Sequence, residues 1–283
     1  MRATAAVIPF VKASGCGNDF LLIDASSIEG SLAPVDIAGF TRRICDRHAG
    51  VGADGVEWML PHATADVEVK LINADGSAAE ISGNGTRCVA AYVCAQRGKE
   101  TINIQTGAGL KVCVLTARSD SGYEFEAAMG VAEVGKEKRV ETTFDEFLGT
   151  PVAMGNPHLV VFVNRFDVNW QEQAAEVQRF SGFEQGVNVE LVLPESKHEV
   201  RARFFERGVG ETQSSGTGSC AAAVAAMATG RAQSPVKVLT PGGTQIVRWE
   251  NNEVFLRGQA QLVCRGEFFL HSGGPLISAD LRR

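Results

Sequence analysis

The sequence predicts an α/β fold of the α+β kind, built as two like domains by internal duplication. Three observations carry this. Two Ser-Gly-x-Gly segments, Ser82-Gly83-Asn84-Gly85 and Ser215-Gly216-Thr217-Gly218, each run into an apolar helix and stand 133 residues apart. Ahead of each lies a second repeated pattern, Gly17-Asn18-Asp19-Phe20 with Leu21-Leu22-Ile23 and Gly155-Asn156-Pro157-His158 with Leu159-Val160-Val161, 138 residues apart. Ordered motifs recurring at nearly one separation mark a duplication, which a lone glycine-rich match does not. The length of 283 residues also exceeds one ordinary domain. The expected division is 1–118, completed by a C-terminal strand over 269–283, and 119–268.

Taken in order, Ile8 to Lys12 and Leu21 to Ile23 read as strands joined by a tight glycine turn within Ser14-Gly15-Cys16-Gly17-Asn18-Asp19-Phe20. Asp36 to His48 reads as a helix with Ile37, Phe40, Ile44 and Cys45 on one face. Val67, Val69 and Leu71 alternate along a strand that leads into the turn cluster Asn73-Ala74-Asp75-Gly76-Ser77. The helix from about Thr86 to Gln96 is apolar nearly all round, which places it inside the protein, and Gly98 stops it. Short strands follow to Met129, with a turn at Ser119-Asp120-Ser121-Gly122. In the second half, Val187 to Leu193 and Val200 to Phe205 read as strands. Cys220 to Thr229 is an alanine-rich helix, and hairpins turn at Gly242-Gly243 and Asn251-Asn252.

Composition narrows the function. A net charge of −6 without a Lys/Arg cluster argues against a nucleic-acid surface. No run of eighteen apolar residues is present, so no membrane span is expected, and the first ten residues do not form a secretory signal. Cytoplasmic localisation is the expectation. The seven cysteines are odd in number and lack a metal-type pair, so they read as reduced, mostly buried thiols.

The polar residues at strand ends and turns are Asn18, Asn73, Asn84, Asn156, Asn188, His158, Glu206, Arg207, Thr217, Ser82 and Ser215. Each alone has a plain reading: an asparagine beside glycine forms a turn, and adjacent Glu206 and Arg207 make a surface pair. Together they flank two helix N-termini whose amides suit an anion. Neutral hydrogen-bonding groups with one acid and one base suit a zwitterionic amino acid. No metal-ligand cluster and no pyridoxal-type lysine stand out, so the chemistry is expected to need no cofactor.

Six motifs in order resemble the diaminopimelate epimerase family: Gly17-Asn18-Asp19-Phe20, Arg47-His48-x-Gly50-x-Gly52-x-Asp54, Asn73-Ala74-Asp75-Gly76-Ser77, Gly83-Asn84-Gly85-x-Arg87-Cys88, Gly155-Asn156-Pro157-His158 and Glu206-Arg207-Gly208-x-Gly210-Glu211-Thr212. The resemblance covers nearly the whole chain. It implies two pseudo-symmetric domains, each a sheet wrapped around a central helix, with substrate in the cleft between them. It also implies a pyridoxal-independent isomerase of lysine and peptidoglycan precursor biosynthesis, commonly a homodimer. Such an enzyme interconverts LL- and meso-diaminopimelate by two cysteine bases. By the same resemblance, Gly83, Asn84, Gly216 and Thr217 hold the α-carboxylate. Asn18, Asn73, Asn156, Asn188, Glu206 and Arg207 hold the rest of the substrate, and His158 and Glu206 tune the catalytic pair.

The chain departs from that pattern where the two bases belong, since both positions are serine, Ser82 and Ser215. A thiol ionises near 8.5, whereas an unassisted hydroxyl stays close to water at about 15.7, a handicap on the order of 9 to 10 kcal/mol. Three readings accommodate this. The serines work with help from neighbours such as His158; the scaffold binds an amino acid without turnover or serves another reaction, that of a proline-racemase-like hydroxyproline epimerase or dehydratase; or both bases were exchanged to hold a ligand. The expectation is slow α-proton exchange unless cysteine is restored at both positions.

Overall fold

The computed structural model describes residues 6–28, 36–120, 122–144, 146–179, 182–184 and 186–270. The chain divides into two compact units, residues 1–125 with 259–283 and residues 126–258. The elements, in chain order, are β1 Ala6–Gly15, β2 Asn18–Asp24, α1 Ile37–Cys45, β3 Gly55–Leu60, β4 Val67–Asn73, β5 Ala78–Ala79, α2 Gly83–Arg97, β6 Thr101–Thr106, β7 Gly109–Ser119 and β8 Gly122–Val131. There follow β9 Glu133–Val134, β10 Lys138–Glu141, β11 Glu146–Ala153, β12 Pro157–Phe162, α3 Trp170–Gln178, β13 Asn188–Ser196, β14 Glu199–Glu206, β15 Gly210–Thr212, α4 Gly216–Ala228, β16 Val236–Thr240, β17 Gly243–Glu250 and β18 Glu253–Leu270.

In the first unit, β1 lies between β2 and the second half of β18, antiparallel to both. The turn joining β1 to β2 needs left-handed backbone at two successive residues, Cys16 at φ 48° and Gly17 at φ 86°, as a two-residue hairpin does. β2 runs parallel to β3, β3 antiparallel to β4, and β4 parallel to β6, which β7 then flanks antiparallel. Of the strand expected over 269–283, Phe269 and Leu270 pair with Val7 and Ala6, and the remainder lies outside the described residues.

β3 is buried along nearly its whole length because both its faces are covered. Val56 and Trp58 pack with Phe40 and Ile44 of α1 on one side. Glu57, between them, faces α2 on the other, where its carboxyl meets Gly85. The helix expected from Asp36 to His48 is shorter. Asp36 is its N-cap, accepting from the Gly39 N–H at 2.9 Å. It stops at Cys45 because the Asp46 side chain takes the N–H groups of His48 and Ala49 and turns the chain.

The second unit repeats this plan. β12 and β13 are parallel and joined through α3, as β2 and β3 are through α1. β14 is antiparallel to β13 and parallel to β16, and β16 and β17 are antiparallel, the order seen for β4, β6 and β7. Leu159, Val161, Val189 and Leu191 face Trp170, Ala174 and Val177 of α3. Val160, Val192, Ala202, Phe204 and Val238 face α4, whose run Cys220–Ala226 is wholly buried. Small side chains there let strands close on the helix, and each buried valine around it stabilises the unit by roughly 1.5–3 kcal/mol.

Both central helices start three or four residues earlier than expected. The Ser-Gly-x-Gly segments are the first helical turns themselves, with Ser82 and Ser215 as extended N-caps. α3 has no counterpart in the sequence reading, although Trp170, Ala174 and Val177 follow the four-then-three spacing of one helical face. The fold is α+β, as the sequence predicts.

Candidate active site

In the first unit, Ser82 Oγ accepts the N–H of Gly85 at 3.1 Å, and its carbonyl accepts both the N–H and the hydroxyl of Thr86. An N-cap serine takes the third amide of the helix; the helix itself supplies no acceptor for the first two, those of Gly83 and Asn84. Ser215 repeats this in the second unit, accepting from Gly218 N–H at 3.1 Å, ahead of Gly216 and Thr217. Each site is therefore a helix N-terminus with a hydroxyl at its mouth.

Behind each mouth lies a buried acid that sequence reasoning missed. A Cβ on Gly85 would stand 1.8 Å from Glu57 Oε1, and one on Gly218 would stand 3.0 Å from Glu190 Oε1. Only glycine lets these carboxyls reach the first helical turn. Glu57 and Glu190 stand 133 residues apart, the offset of the two serines, so extending the repeat through the strands would have paired them.

Their surroundings differ. Glu190 Oε1 is 2.7 Å from His158 Nδ1, and His158 Nε2 is 2.9 Å from Asn156 Oδ1. Burial pushes the Glu190 carboxyl above its ordinary value, while His158 opposes that and Glu206 adds to it. Asn188 Oδ1 accepts the N–H of Arg207 at 2.9 Å, and Glu206 accepts from Thr212 Oγ1 at 3.2 Å. Asn156 and His158 thus form one hydrogen-bonded group around Glu190, and Asn188 is joined to Arg207. Glu206 ends β14 and Arg207 opens the turn after it.

The first unit has Phe20 at the place of His158, at the repeat's other offset of 138. Glu57, 2% exposed, therefore has no imidazole, and its Oε1 has no hydrogen-bond partner. Desolvation alone raises its carboxyl to about 8.

Asn18 gives its amide N–H to Asp54 Oδ2 at 3.0 Å and accepts from Asn84 at 2.7 Å. Asn84 Oδ1 in turn accepts from Arg87, which also donates to Cys16 Sγ at 3.5 Å. Arg47 bridges Asp19 and Asp54 at 2.7 Å to each, and Lys12 adds a contact to Asp19 at 2.9 Å. Burial works against ionisation of Asp19, but Arg47 and Lys12 outweigh it and hold the carboxyl below its usual range. Asn73 lies apart, bonded within its own turn to Ser77 at 3.0 Å. Cys88 and Cys220 are buried inside the helices.

The arrangement in each unit supports proton transfer: anion-holding amides, a hydroxyl at the mouth, and a buried acid behind it. Residues 10–134 and 150–263 match the model of the diaminopimelate epimerase family. The chain is 36% identical over 277 residues to the diaminopimelate epimerase of Pelotomaculum thermopropionicum, covering 92% of this chain and 98% of that protein. Its fold matches the crystal structure of a Bacillus anthracis phenazine biosynthesis protein of the PhzF family at TM-score 0.69 and 15% identity, over 93% of this chain and 99% of that one. It also matches a hydroxyproline epimerase from Agrobacterium vitis, solved with trans-4-OH-L-proline, at TM-score 0.66 and 15% identity, over 96% and 94%. Among the described residues no helix is long and apolar enough to cross a membrane. The distant structures share the fold alone, but the match along nearly the full length of the relatives, with all six motifs inside it, shows that this chain belongs to the diaminopimelate epimerase family.

Proposed function

We propose that the chain is an amino-acid epimerase that interconverts LL- and meso-diaminopimelate by two-base α-proton transfer, with Ser82 and Ser215 at the positions of the bases. The observation that carries this is the repeated constellation of serine cap, first-turn glycine and buried glutamate. In this reading, amides of Gly83, Asn84, Gly216 and Thr217 hold the α-carboxylate. Asn18, Asn73, Asn156, Asn188, Glu206 and Arg207 bind or position the remainder, and His158 tunes the Ser215 side. The enzyme works without pyridoxal phosphate, in the cytoplasm, in lysine and peptidoglycan precursor biosynthesis. Its assembly as a homodimer rests on the family resemblance alone.

The chemistry asks for a base that takes the α-proton and an acid that returns one from the other face. A hydroxyl is slow in both roles unless a neighbour moves the proton for it. The test is α-proton exchange of LL-diaminopimelate in D2O, followed by NMR, for this chain and its Ser82→Cys/Ser215→Cys variant. Slow exchange by the chain and fast exchange by the variant are expected. Failure of the variant to exchange would sink the substrate assignment. The hydroxyl at both positions favours one second reading, an amino-acid-binding protein without turnover, which binding of diaminopimelate with no exchange at all in the serine chain would support.

A further inference from the structure

The motif Arg47-His48-x-Gly50-x-Gly52-x-Asp54 has no part in the reading above, yet it ends on a carboxylate that grips Asn18. Asp54 uses both oxygens. Oδ1 meets Arg47 at 2.7 Å, and Oδ2 accepts the Asn18 amide at 3.0 Å and the Asp19 backbone N–H at 3.1 Å. Asn18 Oδ1 accepts from the Asn84 amide at 2.7 Å, and Asn84 Oδ1 accepts from the buried Arg87 guanidinium. The two ends of this chain fix its direction. A carboxylate only accepts and a guanidinium only donates, so each bond is given in the order Arg87, Asn84, Asn18, Asp54. Neither asparagine amide can turn over and exchange its N and O without setting like against like. Asn18 has two amide protons, of which Asp54 takes one, and no acceptor among the described residues takes the other. Its side chain is half-buried and bonded to Asn84, which lies in the first turn of α2, where an anion is favoured. In the second unit the counterpart Asn156 meets His158 through its oxygen at 2.9 Å, so the repeat holds equivalent amides by opposite ends.

We propose that Asp54 is a positioning residue for substrate binding: by taking one N–H of Asn18 it holds the other as a fixed donor to a substrate carboxylate at the start of α2. The inference rests on the epimerase reading above and deepens it. Asp54 itself touches no substrate. Arg47 anchors it through Oδ1, and Asp19 and Lys12 are the other charged groups of the cluster. A carboxylate ligand offers acceptors alone, so it bonds the N–H that Asn18 presents and would be repelled by the oxygen of a turned amide. The distant acid thus sets which end of Asn18 the ligand meets.

The test exchanges the two side chains. In Asn18→Asp/Asp54→Asn the carboxylate at position 18 accepts from Asn84 and from the amide at position 54. The bonds and the net charge survive, while the donor toward substrate is gone. Thermal unfolding is expected to stay within a few degrees of the parent, whereas the dissociation constant for LL-diaminopimelate, read by calorimetry, should rise about 10- to 100-fold. Should the exchanged pair not fold, the cycle of Asn18→Ala and Asp54→Ala decides. Asp54→Ala should weaken binding about tenfold in the parent and make no further difference once Asn18 is alanine. Unchanged binding by the exchanged pair, or additive losses in the cycle, would overturn the proposal. Acetate serves as a probe that does not depend on the substrate assignment. The NMR signals of the Asn18 side-chain amide should move as acetate is added to the parent and lose that response in Asp54→Ala. A parent that binds no diaminopimelate but answers acetate in this way refutes the choice of substrate and upholds the positioning. An Asn18 amide that answers neither ligand refutes the positioning itself.

Discussion

The burial of Glu57 has a consequence for folding that needs no substrate. Desolvation raises its carboxyl from 4.5 to about 8. Between those values the folded chain keeps a proton that the unfolded chain has released. Stability therefore falls as pH rises through this window and levels off above it. At about 1.4 kcal/mol per pH unit the full window amounts to about 5 kcal/mol, a large part of the stability of an ordinary domain. Glu57→Gln keeps the shape and removes the titration. Unfolding free energies by urea at pH 5 to 9 should show the variant gaining on the parent by several kcal/mol, with all other titrations cancelling in the difference. Parallel curves would refute the reasoning, for they would mean that Glu57 ionises in the folded chain as easily as in the unfolded one.

Other perturbations follow from the same geometry. Gly85→Ala should destabilise by about 1–3 kcal/mol through its clash with Glu57, and most of that should return when Glu57→Ala is added; additive losses in thermal unfolding would count against the contact. His158→Phe, which copies the first unit's Phe20, leaves Glu190 buried without its partner and should cost about 3–5 kcal/mol while that carboxyl is ionised, with the loss shrinking as the pH is lowered, because burial already pushes Glu190 toward its protonated form. Ser215→Ala removes the cap on Gly218 N–H and should cost about 1 kcal/mol in denaturant unfolding, whatever it does to exchange.

Much of this arrangement could be read from residue order. Glycine pairs and alternating valines mark β1, β2, β4 and the C-terminal hairpins, and the asparagine pair Asn251-Asn252 does turn with positive φ at both residues. The two serine positions stand out because the motif repeats, although their role as helix caps appears only in the structure. Glu57 and Glu190 do not stand out. Each stands between apolar neighbours in a pattern that reads as one polar position on a strand's outer face, and only the helix packed over that face buries it. Asn73 and Asn18 show the converse. Sequence offers both as ligand groups but not the protein partners that position them: Asn73 is bonded within its turn, and the two ends of the Asn18 amide meet Asp54 and Asn84. Hydrogen-bond partners distant in the chain cannot be read from local spacing.

β18 gives the chain an order of assembly. Its first residues, Glu253–Gly258, pair with β17, and residues 261–270 pair with β1. During synthesis β1 therefore emerges first and has β2 on one side within seconds. Its other edge waits for a strand made after the whole of residues 126–258. At ribosomal speeds that delay is on the order of ten seconds, long enough for the second unit to fold while the first still presents an open strand edge. Lys12, charged and seventh of the ten residues of β1, is the one basic residue on that waiting edge among the described residues.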